Sequence, residues 1–177
     1  MKPLMDLFIS VLILGGMSIA NAQGQIYDDW AVGVTDDAVA VFAATANKSG
    51  SLIAQYCFFS KQACEYRIVS DKQCKDGNKY PGLLNSDRGA TAVILTCGGS
   101  VGDGQYVLGI EPFGPIDEAV RNGSHLGMVI PLKNDQFHAM RFSLRGAAAA
   151  TTFMRGAFAK GVNSGTGAVR PARDSTL

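Results

Sequence analysis

Short apolar segments separated by turn residues dominate the chain and predict strands. In FHAMRFSL (137–144), Met140, Phe142 and Leu144 fall on one side, with Arg141 and Ser143 on the other. That is the alternation of a strand with one buried face. AVAVFAATA, from Ala38 to Ala46, runs into NKSG and returns as SLIAQYCF, ending at Phe58. Gly50 in that turn can take the positive φ that a tight hairpin demands. CEYRIVS, YPGLLN and TAVILTC follow as strands, GGSVGDG (98–104) as a flexible tip, then QYVLGIEPF and HLGMVIPL as strands. The turn KNDQ (133–136) joins the last of these to FHAMRFSL. Within the series, PIDEAVRNG predicts one short helical turn, with Pro115 at its first position and Gly123 at its end.

The period changes after Leu144. In RGAAAATTFMRGAFAK, Ala147, Ala150, Thr151, Met154 and Phe158 recur at helical spacing, and four consecutive alanines favour a helix. Gly156 weakens its last turn. Beyond Gly161 the apolar pattern stops, which predicts a disordered tail over 161–177. The class these patterns predict is mainly β: an antiparallel β-sandwich or a strongly curved sheet, closed by one C-terminal α-helix.

The first residues read differently. Lys2, an apolar run from Leu7 to Ile19, and the small residues Ala20 and Ala22 have the layout of a cleavable signal peptide. The run is too short for a membrane span, which needs about 20 apolar residues. Cleavage after Ala22 leaves about 155 residues, the size of one domain, with a body over 23–160 and no further transmembrane span. The formal net charge is +1 and no basic patch stands out, which argues against nucleic acid as a partner.

Export decides how the four cysteines, Cys57, Cys64, Cys74 and Cys97, are read. An even set in an oxidising compartment is a disulfide framework. No CxxC is present, and the two histidines, His125 and His138, lie far along the chain. Neither a zinc site nor a redox pair is therefore expected, and no cofactor is implied. If Cys57 faces Cys64 in a hairpin, Gln55 faces Tyr66 and Ile53 faces Ile68 on the same side. A second hairpin turning at Ser86-Asp87-Arg88-Gly89 brings Cys74 towards Cys97. Loop entropy assigns roughly 2.5 and 3.5 kcal/mol to these bridges, but a nested pairing of Cys57 with Cys97 and Cys64 with Cys74 totals about the same. Geometry favours the two hairpin pairings; energetics leaves both sets open.

No catalytic constellation emerges. Asp28 and Asp29 could act as an acid/base pair only with one of them buried, and a solvated strand entrance is the simpler reading. Neither histidine is accompanied by a nucleophile-elbow serine. GGSVGDG lacks the lysine and the strand-to-helix setting of a phosphate loop. Trp30, the sole tryptophan, reads as a core anchor, with partner contact as the alternative.

Two stretches carry a resemblance. YDDWAV (Tyr27 to Val32) and RFSLRGAAAATTFM (Arg141 to Met154) resemble the invasion-associated locus B family. Those are small secreted bacterial proteins with an early tryptophan motif, disulfides, a β-rich body and a late Ser-Leu-x-Gly before an alanine-rich segment. The family places a cysteine shortly after its tryptophan, where this chain has Gly33 and Val34. The resemblance implies a periplasmic or otherwise envelope-associated protein, in some relatives linked to host-cell invasion, with no catalytic residues to carry over. The expected function is thus a non-enzymatic, exported protein that binds a protein or other envelope macromolecule. SGSLIAQY (Ser49 to Tyr56) also resembles a serine-glycine to tyrosine stretch of periplasmic lysozyme inhibitors. That makes inhibition of an envelope-directed hydrolase the alternative, with Ser49, Gly50 and Tyr56 as its contacts.

Overall fold

The computed structural model describes residues 24–131 and 136–163. The expected leader, most of the expected tail and most of the KNDQ turn lie outside the described residues. Ten strands form a single sheet: β1 (Gln25–Tyr27), β2 (Trp30–Val34), β3 (Ala40–Ala46), β4 (Leu52–Phe58), β5 (Ala63–Ser70), β6 (Lys79–Ser86), β7 (Gly89–Gly102), β8 (Gln105–Glu111), β9 (His125–Pro131) and β10 (Phe137–Ser143). Helix α1 (Phe113–Asn122) sits between β8 and β9, and α2 (Ala147–Asn163) follows β10. The strand order is β1-β2-β3-β4-β5-β8-β7-β6-β9-β10, antiparallel throughout. Of the two architectures expected, the curved sheet is the one adopted.

Hairpin register follows the expectation residue by residue. Cys57 faces Cys64, Gln55 faces Tyr66 and Ile53 faces Ile68 across β4 and β5. Ser86 faces Gly89 at the β6–β7 turn. Both bridges take the hairpin pairing, Cys57–Cys64 and Cys74–Cys97, and no cysteine among the described residues is free. Inward-facing Ile53, Ile68, Leu84, Leu95, Met128 and Phe142 form one core with Ile116 of α1 and Met154 of α2. Both helices therefore pack on the inner side of the sheet.

Three local expectations need correction. GGSVGDG is no flexible tip: β7 continues to Gly102 and pairs with β8, with register shifts between Cys97 and Gly102. Gly99 (φ +85°) and Gly102 (φ +99°) absorb those bulges without breaking the ladder. The expected helical turn from Pro115 is a ten-residue helix starting at Phe113. Pro115 is tolerated inside it because a first-turn N–H has no helical partner to lose. Ile116, Ala119 and Val120, at the i, i+3, i+4 spacing, bury the face that holds it. Finally, α2 runs on to Asn163. Its last turn packs against the β4–β5 hairpin, where the Phe59 and Phe158 rings lie 5.5 Å apart.

Candidate functional site

The two motif stretches, far apart in sequence, meet at one seam. Trp30 is fully buried, and its indole Nε1–H donates to the Ser143 carbonyl at 2.9 Å. Ser143 Oγ donates to Asp29 Oδ2 at 2.6 Å, and Arg145 Nη2 donates to Asp29 Oδ1 at 2.7 Å. The Asp29 backbone N–H reaches the Arg145 carbonyl, and Thr45 Oγ1 donates to the Asp29 carbonyl at 2.7 Å. Gly146 (φ +85°) lies where a Cβ would overlap the Tyr27 carbonyl, so only glycine fits there. These contacts tie the β1–β2 corner to the end of β10 and draw the two ends of the sheet together. Trp30 is thereby held in the core, the position its core-anchor reading expects, rather than on the surface of this structure. Asp29 is not a free acid/base group. Hydrogen bonds from Ser143 and then Arg145 hold its carboxyl below the ordinary value of 3.8.

Beside this closure the sheet ends splay apart, leaving an open cleft of about 860 Å³. One wall is β10 from Ala139 to Ser143, joined by Ser124 and His125 at the start of β9. The other is the end of β3 and its turn, Thr45 to Ser49. Asn47 Oδ1 organises that turn, accepting from Ser49 N–H, Ser49 Oγ and Ser51 N–H. Four titratable groups line the cleft: Asp29, Lys48, His125 and Arg141. Asp29 is satisfied by Arg145, whereas Lys48 and Arg141 have no carboxylate partner among the described residues. The cleft is consequently cationic.

The sequence-derived contacts do not converge. Ser49 lines the cleft and Gly50 (φ +81°) lies at the tip of the same turn. Tyr56 is six residues further along β4, roughly 20 Å away at the usual strand rise. Its ring sits on the outer face between Phe42 and Phe58, with the Arg67 guanidinium 5.6 Å from its centroid. Ser49, Gly50 and Tyr56 thus form no single protruding loop.

His125 and His138 lie at opposite ends of the β9–β10 pair, facing Ser143 and Ile130. His138 is half-buried, its Nε2 has no partner among the described residues, and desolvation followed by Lys72 pulls its pKa below 6.5. His125 Nδ1 lies 2.9 Å from Ser124 Oγ. The nearby Asp87 accepts from the Ser124 backbone N–H rather than orienting the imidazole, so the group lacks the third member of a triad. Lys48 and Arg141 escape sequence reading because nothing local distinguishes them from other surface cations. Only the closure of the sheet turns both towards one space.

A second polar group lies on the inner side. Arg155 of α2 forms an ion pair with Asp117 of α1 and donates through Nε to Gln55 Oε1 at 2.9 Å. Tyr66 Oη–H donates to Asp117 Oδ1 at 2.9 Å. Gln55 and Tyr66 are fully buried. Desolvation, then the Asp117 charge, pushes the Tyr66 phenol far above its ordinary range. The group spans two helices and two strands, and pins the helices to the sheet.

Among the described residues, no helix is long and apolar enough to cross a membrane. No family model matches the chain, and no curated protein is similar to it in sequence. The fold is similar to the crystal structure of invasion associated protein B from Bartonella henselae. The TM-score is 0.56 at 14% identity, over 76% of this chain and 96% of that one. At that identity the likeness is one of fold. It agrees with the resemblance carried by Tyr27–Val32 and Arg141–Met154, the segments that meet at the seam.

Proposed function

We propose, from the fold shared with invasion associated protein B, that this is an exported, non-enzymatic envelope protein that binds a macromolecular partner. One observation carries the reading: the outer face of β7, β6, β9 and β10 holds an uncovered cluster of apolar side chains. Ala92, Leu83, Val129 and Ala139 form one cross-strand row. Leu83 is 43% exposed, Ile94 42% and Phe137, at the start of β10, 71%. Both helices lie on the other side of the sheet, so nothing in the described fold shields these side chains. Contiguous apolar surface of this kind marks a protein-interaction face rather than a solvated one. Two disulfides and the signal-like leader support export.

The test is capture from envelope extract by the immobilised oxidised chain, alongside a Leu83→Glu/Ile94→Glu variant. The wild-type chain is expected to retain a reproducible partner that the variant loses while keeping its circular dichroism and melting temperature. Failure of the wild-type chain to retain any partner reproducibly would overturn the reading.

A further inference from the structure

The cleft has a property that the apolar face lacks: one of its walls is a free strand edge. β10 is the last strand of the sheet and pairs only with β9. The Ser143 carbonyl points away from β9, since Trp30 Nε1–H donates to it. In an antiparallel ladder the backbone groups alternate sides, so those of Arg141 and Ala139 point the same way as those of Ser143. No described residue bonds them. Both residues are exposed and line the cleft. A row of unpaired N–H and C=O groups is a template for another strand.

The charge of the cleft selects what that strand carries. Arg141 stands on the free edge, and Lys48 lies on the opposite wall. Neither has a carboxylate partner among the described residues, and the cleft's own carboxylate, Asp29, is already held by Arg145 and Ser143. We infer that the cleft receives an extended acidic peptide segment, which adds to β10 as a further strand and directs its carboxylates to Arg141 and Lys48. Side chains alternate along a strand, so carboxylates at every second position share the face of Arg141. Main-chain bonds would supply affinity and the charges specificity, as in other strand-addition complexes. An acidic glycan fits less well. The one phenyl ring among the described lining residues, Phe142, is 1% exposed, and the His125 imidazole is engaged with Ser124 Oγ, so the cleft offers no phenyl, phenol or indole face on which a sugar could stack.

This inference rests on the partner-binding reading and narrows it to a ligand class. It is tested on the oxidised chain with a fluorescein-labelled heptapeptide alternating glutamate and threonine, read by anisotropy and by amide hydrogen exchange. Binding should slow exchange at Ala139 and Arg141. A lysine/threonine heptapeptide should not bind, and N-methylation of alternate peptide amides should abolish the effect. Arg141→Glu should weaken binding at least about tenfold and Lys48→Glu several-fold, while Lys61→Glu, on the β4–β5 hairpin, changes nothing. Unchanged exchange at Ala139 and Arg141, or equal binding by the Arg141 variant, would overturn strand addition. So would binding of trigalacturonate with the same dependence on Arg141 in place of the peptide; that result would assign the cleft to an acidic glycan. The N-methylated peptide tests the mode without altering the protein's fold. If the peptide fails while a partner is still captured through Leu83 and Ile94, only strand addition falls; if capture fails as well, the wider reading falls with it.

Discussion

At the scale of single residues, the seam depends on groups with no substitute. Gly146 combines a positive φ with a position where a Cβ would overlap the Tyr27 carbonyl. Gly146→Ala is therefore expected to cost about 3 kcal/mol or more, measured by urea unfolding, because the strain and the overlap must both be relieved. Asp29 makes the seam sensitive to acid. Its folded pKa lies below 3.8, so its contribution is complete above that value and is lost as pH falls through the folded pKa. In melting experiments from pH 6 to pH 2, Asp29→Asn should start less stable and lose less on acidification than the wild type. Equal acid sensitivity of the two proteins would show that this carboxylate does not hold the seam. Trp30 was readable as a core anchor from its type alone. Its acceptor, 113 residues away, was not.

At the scale of elements, polar contacts add to apolar packing in holding the helices. Arg155 and Asp117 join α2 to α1, and Gln55 and Tyr66 join both to the sheet. Asp117→Ala leaves a partly buried guanidinium without its counter-ion, though still bonded to Gln55, and a fully buried phenol without its acceptor. Its expected cost is about 2–3 kcal/mol by urea unfolding, whereas Tyr66→Phe should cost only about 1 kcal/mol. A smaller loss from Asp117→Ala than from Tyr66→Phe would overturn this account of how the helices are held. Most strand positions were legible from short apolar runs between turns, β10 from its alternation, and α2 from its helical repeat. α1 was underestimated because Pro115 looked like its start, and only burial of Ile116, Ala119 and Val120 reveals its length. The β7–β8 bulges were missed for a related reason: glycine-rich sequence permits either a loose tip or a bulged ladder, and pairing with β8 decides between them.

At the scale of the whole molecule, a curled sheet with two cross-linked hairpins presents an apolar outer face and a cationic cleft side by side. The bridges act on the unfolded chain, so the longer loop should contribute more. Peptide mapping without reduction should recover Cys57 with Cys64 and Cys74 with Cys97. Replacing Cys74 and Cys97 together by alanine should cost about 3.5 kcal/mol, more than the same change at Cys57 and Cys64. The amino-acid sequence alone indicated most of the strands and the β4–β5 hairpin register, and it favoured these pairings without excluding the nested set, because a hairpin is set by neighbours in the chain and by a two-residue period. It also carried both motif stretches, though not their meeting. The tertiary structure decided the rest: how far the sheet curls, what Trp30 and Asp29 bond, and which cations share a cleft. Those features depend on twist summed over ten strands and on contacts more than a hundred residues apart, which no local pattern encodes.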